Sequence, residues 1–362
     1  MIPSAGGGLG HISRCASLAR ALRRLDPAAD VEFVFDTERM RPFNVGAAVA
    51  MGFPPRLMPP RPREVRDAVI AEYLGDADVI VDDSTRYLIT HRARLPRAGW
   101  VSVPMHPIGD EIFLDWPFMR QMDAVIWAYA PFVGLLPELD LVRERLVVTG
   151  PFLDFGEVPG RDAARAALGL EGPGERTVLY APRGFPFGAA FGHAALAAAV
   201  GAVGSLRAAH PGLRLHLTAV SDPAALRGIP GVPDPLPDWV SVHGMLPAEE
   251  ALLRLAAADA VVGEGTSTMH EAAALGTPIL LRPGPIEETR RLADALGREG
   301  AGHAAAGDAA AFARGLSAIL DDSAGAAARA ARAGTLVREG GGVDAAARMV
   351  LEIGAGRRTP PV

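Results

Sequence analysis

The sequence predicts an α/β chain made of two doubly wound domains, each a parallel sheet covered by helices on both faces. Three observations carry this reading. At 362 residues the chain exceeds one ordinary domain. Short β-branched runs alternate with Ala/Leu/Arg-rich helical patterns almost throughout, the signature of parallel strands joined by crossover helices. The runs fall into two sets, and residues 150–160, with glycine and proline at both ends, separate them.

In chain order, the first set of strands is expected at 31–35, 78–82, 100–104, 123–127 and 146–149. The second is expected at 177–181, 213–218, 239–242, 259–263 and 278–282. Helical patterns occupy 12–25, 189–209, 248–257, 269–275, 287–297 and 309–320. The proline-rich segments 54–62 and 228–237 read as irregular loops. The domains are accordingly drawn at 1–155 and 156–353, facing each other across a cleft, with 354–362 as a tail. Only Met1, Ile2 and Pro3 precede the first glycine run, so the opening strand is either very short or cut.

Composition excludes several chemistries. The chain has no lysine, so its 36 basic residues are all arginine. Schiff-base catalysis and a Walker-type phosphate loop both need a lysine. A net charge of -6 argues against nucleic acid as a partner. The single cysteine, Cys15, allows no intrachain disulfide or cysteine cluster, and no apolar export signal is evident, so a cytoplasmic location is expected. Residues 188–206, mostly Ala and Gly, are too weakly apolar for a membrane span, which leaves peripheral membrane contact open.

Two glycine loops carry the chemistry. Residues 4–14 read Ser-Ala-Gly-Gly-Gly-Leu-Gly-His-Ile-Ser-Arg and run into a helix. Glycines such as Gly8 and Gly10 let a ligand approach the backbone, and a helix start offers free N–H groups to anions. His11 stands where loop becomes helix, and an imidazole there is suited to general-base work. The alternative is a tight turn with His11 as a cap. Arg14 stays open between a ligand contact and a surface charge, and Cys15 is expected in the core.

The second loop follows the strand at 259–263. Gly265, Thr266, Ser267, Thr268 and Met269 offer backbone and hydroxyl donors where a helix begins, and such donors can cradle a diphosphate in place of a lysine. Glu271, one turn inside, is placed to accept both hydroxyls of a ribose. Thr268 with Glu271 also fits a capping box, the purely structural explanation, which leaves Gly263 and Gly265 unaccounted for. Two further turns are expected near the same ligand. Arg183 and Gly184 follow the first strand of the second set, and the segment 242–247, with Gly244 and Met245, is able to present backbone groups to a base.

The pairing of Gly-Gly-Gly-Leu-Gly-His with Gly-Thr-Ser-Thr-Met-His-Glu-Ala-Ala-Ala-Leu-Gly-Thr-Pro resembles the GT-B nucleotide-sugar glycosyltransferases. The nearest sub-pattern is that of the peptidoglycan N-acetylglucosaminyltransferase and small-molecule transferases, and residues 243–301 follow its donor site in order. The resemblance implies a first domain for the acceptor and a second for a nucleoside-diphosphate sugar, UDP-linked by preference, with Glu271 on the ribose. It implies acidic contacts to sugar hydroxyls from 283–289, where Glu287 and Glu288 are the candidates. The run from His11 to Cys15, and the acidic strand end at 79–84, also resemble the UDP-sugar hydrolase of the pseudaminic-acid pathway. The paired histidines common in deoxysugar antibiotic transferases are missing, which argues against that sub-class.

The expected reaction is an inverting sugar transfer to a hydroxyl on a small-molecule, lipid-linked or glycan acceptor. His11 acts as base, and Asp82 or Asp83 orients it. His106 is a second base candidate. No cofactor is expected beyond the nucleotide-sugar substrate, and helix N-termini with neutral donors remove the need for a metal. Water as acceptor, in a hydrolase of the same fold, is the alternative.

Overall fold

A computed structural model describes residues 1–3, 9–37, 40, 42–58, 63–84, 92, 95–105, 119–182, 189–218, 223–244, 246–264, 267–284, 287–305 and 307–356. The chain divides into two compact units, Met1–Asp154 with Arg338–Val362, and Phe155–Val337.

The first unit holds a parallel sheet of β1 (Ile2–Pro3), β4 (Val79–Asp83), β5 (Gly99–Ser102), β6 (Ala124–Trp127) and β7 (Leu146–Val148), in that spatial order. The parallel pair β2 (Val34–Asp36) and β3 (Arg56–Met58) adjoins β1, with the Val34 N–H donating to the Met1 carbonyl at 2.9 Å. The strand order reverses between β1 and β4, and doubly wound sheets bind ligands at such a reversal, beyond the carboxyl ends of the strands. Here Pro3 is in register with Asp83, so β4 ends beside the point where the first glycine loop begins.

Helix α1 (Gly10–Leu25) turns Ile12, Cys15, Ala16, Ala19 and Leu22 inward at helical spacing, while Arg20, Arg23 and Arg24 are exposed. Helices α2 (Pro42–Ala50) and α3 (Arg63–Leu74) complete the crossovers that lead to β3 and β4. Ile80, Trp100, Val125 and Trp127 belong to the core on one face of the sheet, and Val81, Val101 and Ile126 to the core on the other.

The second unit opens with α4 (Arg161–Ala167). Its sheet has the order β10 (Val240–Val242), β9 (Leu213–Leu217), β8 (Arg176–Ala181), β11 (Ala260–Gly263), β12 (Ile279–Leu281) and β13 (His303–Ala304), all parallel. Its order reverses between β8 and β11. Helices α5 (Ala189–Leu206) and α9 (Ala309–Leu320) share one core with Val178, Tyr180, Leu215, Val262 and Leu280. The other described α-helices of this unit are α6 (Ala248–Ala257), α7 (Ser267–Ala274), α8 (Glu287–Arg298) and α10 (Ser323–Val337). No described helix is long and apolar enough to cross a membrane.

Two expectations are corrected. Residues 338–353 had been drawn with the second domain, but helix α11 (Gly342–Gly354) belongs to the first unit. Its Val343, Ala346, Ala347 and Val350 are buried in one core with Leu18, Leu22, Val81 and Val101. The chain reaches that position through Gly340, Gly341 and Gly342, at φ 88°, 82° and 56°, and a Cβ on Gly340 would lie 2.8 Å from the Thr149 carbonyl. The segment 54–62 is not wholly irregular, because Arg56–Met58 pairs with β2.

Candidate functional site

In the first unit, residues one helical turn apart converge on a single carboxylate. His11, Arg14 and Cys15 stand at i, i+3 and i+4 of α1, hence on one face, and Asp83 ends β4 opposite them. The His11 Nδ1 lies 3.0 Å from Asp83 Oδ1. Arg14 donates from Nε to Asp83 Oδ2 at 3.1 Å and from Nη2 to Oδ1. The Cys15 thiol lies 3.6 Å from Oδ2. Ser84, held at φ 62°, donates to the Val103 carbonyl at 3.0 Å, an uncommon backbone state for a non-glycine residue and one that turns the chain directly after the carboxylate.

Electrostatics follow from this packing. Burial alone would raise the Asp83 carboxyl, but Arg14 and His11 outweigh it and bring its pKa down to about 2. Burial works against the Arg14 charge, and Asp83 reverses the balance and raises it. Burial, then Asp83, pushes the Cys15 thiol well up, so it remains a protonated packing group.

An ionised Asp83 only accepts hydrogen bonds, so the proton between it and His11 sits on Nδ1. The 3.2 Å approach of Arg14 Nη2 to that nitrogen is then two donors meeting on one oxygen. With Nδ1 committed to Asp83, Nε2 is the nitrogen of this half-buried ring that makes no hydrogen bond to a described residue. Asp82, fully buried, alternates with Asp83 onto the opposite face of β4. Gly10 is exposed at the start of α1.

In the second unit, β11 ends at Gly263 and α7 starts at Ser267. Close packing favours glycine at 263, since a Cβ there would lie 2.5 Å from Cε at the movable end of Met269 and 3.1 Å from the Ala181 carbonyl. Met269 is buried against the end of β11. Ser267 and Thr268 occupy the first turn of α7, where backbone N–H groups have no helical partner.

Glu271 lies one turn on, half-buried, and no hydrogen bond or ion pair joins its carboxyl to another described residue. Desolvation raises its pKa to about 7. A capping box would have tied this carboxyl to the helix start. Gly244 stands just past β10 with φ 39°. Glu287 is exposed and pairs with Arg291 at 3.6 Å along α8, and Glu288 lies beside it in the first turn. Gly8, His106, Arg183, Gly184, Met245, Gly265 and Thr266 lie outside the described residues.

Two groups escaped the sequence reading. The sequence does not decide the role of Arg14, although its i+3 spacing from His11 is a usable signal. In the second unit, Leu213, Leu215 and Leu217 are buried in one core, while Arg214 and His216 alternate with them onto the opposite face. His216 there meets His243, its Nδ1 2.9 Å from His243 Nε2.

No protein-family model matches the chain, and no curated protein matches it in sequence. Solved structures match over nearly the whole length. The spinosyn forosaminyltransferase SpnP shares 15% identity at a TM-score of 0.68, covering 98% of both chains. The spinosyn rhamnosyltransferase SpnG, solved with thymidine diphosphate, shares 19% identity at 0.65, covering 97% of this chain and 98% of its own. A putative UDP-N-acetylglucosamine 2-epimerase from Listeria monocytogenes shares 12% identity at 0.65, covering 96% and 94%. These likenesses show the fold, which is that of the GT-B glycosyltransferases. They single out neither the peptidoglycan transferase nor the pseudaminic-acid hydrolase.

Proposed function

We propose that the chain transfers a sugar from a nucleoside-diphosphate sugar, UDP-linked by preference, to an acceptor hydroxyl with inversion. The observation that carries this is the His11–Asp83 pair at the strand reversal of the first unit. In this reading His11 Nε2 takes the acceptor proton as the acceptor oxygen attacks the anomeric carbon. The bond from that carbon to the diphosphate breaks with its electron pair on the leaving oxygen. Asp83 stabilises the imidazolium through Nδ1.

In the second unit, the first turn of α7 receives the diphosphate with N–H groups and the hydroxyls of Ser267 and Thr268. Arg183, Gly265 and Thr266 are assigned to the same cradle, and an ionised Glu271 accepts the ribose hydroxyls. Glu287 and Glu288 are assigned to the sugar. Donors of this kind supply the stabilisation for which other sites use a metal, so transfer is expected to proceed in a chelator. The SpnG structure with thymidine diphosphate supports a nucleotide ligand for this fold. The acceptor is a small molecule, a lipid-linked molecule or a glycan, met in the cytoplasm.

One observation favours a second reading. Arg14 and Cys15, part of the hydrolase-like run, both engage Asp83, and a base held this tightly also suits water as acceptor. Incubation with UDP-sugars, with and without a panel of alcohols, and mass spectrometry of the products separates the two. A glycosylated alcohol supports transfer. Free sugar formed at the same rate in every mixture supports hydrolysis, and intact donor throughout refutes both.

A further inference from the structure

The second unit carries a fixed hydrogen-bond relay that neither the diphosphate cradle nor the sugar contacts use. Glu250 Oε1 accepts from Arg254 Nε at 3.0 Å and from Nη2 at 2.7 Å, which holds the guanidinium on α6. Arg254 Nη1 then lies 3.4 Å from His243 Nε2, the same nitrogen that His216 Nδ1 approaches at 2.9 Å. The two imidazole planes are 16° apart with centroids 5.0 Å apart, a separation that suits edge-to-edge bonding between nearly coplanar rings.

A guanidinium has no lone pair to offer, so His243 Nε2 is the acceptor of both contacts. His216 therefore carries its proton on Nδ1, and its Nε2 is buried without a partner. Burial first, then His243, Arg254 and Arg214, lowers the His216 pKa to about 4, while burial and Arg254 lower that of His243 against the opposing pull of Glu250. Both rings are neutral at pH 7. The one ring proton of His243 is then on Nδ1, which makes no hydrogen bond to a described residue.

His243 directly follows β10 at the carboxyl edge of the sheet. By strand order, β10 lies two and a half strand spacings from the β8/β11 reversal, or about 12 Å. A nucleoside laid along the strand ends from a diphosphate at that reversal covers this span.

We propose that His243 is a base-selecting residue, its locked Nδ1–H donating to the carbonyl oxygen that an amino group replaces in the counterpart base, O4 of uracil or O6 of hypoxanthine, and that His216 and Arg254 are positioning residues that fix the tautomer. This rests on the donor reading above. The site then accepts oxo bases and rejects their amino counterparts, which present a donor to a donor and leave both unpaired.

Calorimetric titration with two matched pairs, UDP against CDP and IDP against ADP, tests it. The wild type is expected to favour the oxo member of each pair by about tenfold or more. His243→Ala brings both ratios to within about threefold with the melting temperature unchanged, and His243→Asn, which keeps a donor, retains part of the preference. His216→Leu loses the preference, whereas His216→Asn, whose amide N–H replaces that of Nδ1, keeps it. Undiminished ratios in His243→Ala, or equal binding of oxo and amino members by the wild type, overturn the proposal and leave the donor reading standing. Failure of the wild type to bind any of the four overturns both.

Discussion

Replacing Glu271 with Gln should make the second unit more stable at pH 8 and leave it nearly unchanged at pH 4. Desolvation moves this carboxyl from 4.5 to about 7. At roughly 1.4 kcal/mol per pH unit, that corresponds to about 3.5 kcal/mol favouring the protonated form in the folded state. A carboxyl whose pKa rises on folding lends that stability in full below its unfolded value and loses it as pH climbs through the folded one. The loss therefore falls between about pH 4.5 and 7, and glutamine, which does not titrate, escapes it.

Urea unfolding of both proteins at half-unit pH steps, with the transition of each unit followed separately, reads the difference. Parallel stability curves for wild type and Glu271→Gln would show that the carboxyl is not desolvated, and would remove the physical basis for its assignment to the ribose. The same carboxyl makes a second demand. A ribose that bonds the ionised form draws a proton off the protein, so UDP should bind more tightly at pH 8 than at pH 6, and the gain should vanish in the Gln variant.

Other outcomes are expected of neighbouring groups. His11→Ala should lower turnover by about two to four orders of magnitude at unchanged nucleotide affinity, and unchanged turnover in a steady-state assay would remove its role as base. Asp83→Ala leaves Arg14 buried without its counter-charge and should cost about 3–5 kcal/mol in chemical denaturation, where a cost under about 1 kcal/mol would contradict the ion pair. Gly263→Ala forces its Cβ against Met269 and the Ala181 carbonyl and should cost about 1–3 kcal/mol, with partial recovery when Met269 is also shortened to Ala. No recovery in the double variant would place the clash on the backbone alone.

Much of this was legible in the residues, for reasons that differ by element. The strands β4, β8 and β11 beside the reversals are short runs rich in β-branched and aliphatic residues, and turn formers close two of them, Pro182 after β8 and Gly263 at the end of β11, so period and punctuation agreed there. His11 was visible because a histidine at a glycine-to-helix junction has few neutral explanations. The choice between Asp82 and Asp83 was beyond the sequence. Adjacent strand residues face opposite ways, and the contacts of Asp83 with His11 and Arg14 show which one meets α1.

The strand Arg56–Met58 was hidden by flanking prolines, which read as loop although edge pairing tolerates them. The relay from Glu250 to His216 joins two strands and a helix, and no local pattern announces such a meeting. Helix α11 was misassigned because amphipathic spacing shows that a face will be buried without saying against what. The glycine run at 340–342 was the available hint.

The return of α11 has a consequence for synthesis. Since the first unit is closed by residues 338–354, the second unit is an insertion within it, entered after Asp154 and left before Arg338. On the ribosome the order of completion is then the reverse of the order of sequence. The inserted unit has all its strands in hand while the earlier one still waits with the apolar surface around Leu18, Val81 and Val101 uncovered. Residues at this late seam, and not those of the His11–Asp83 pair, govern how long the nascent chain is exposed to wrong partners.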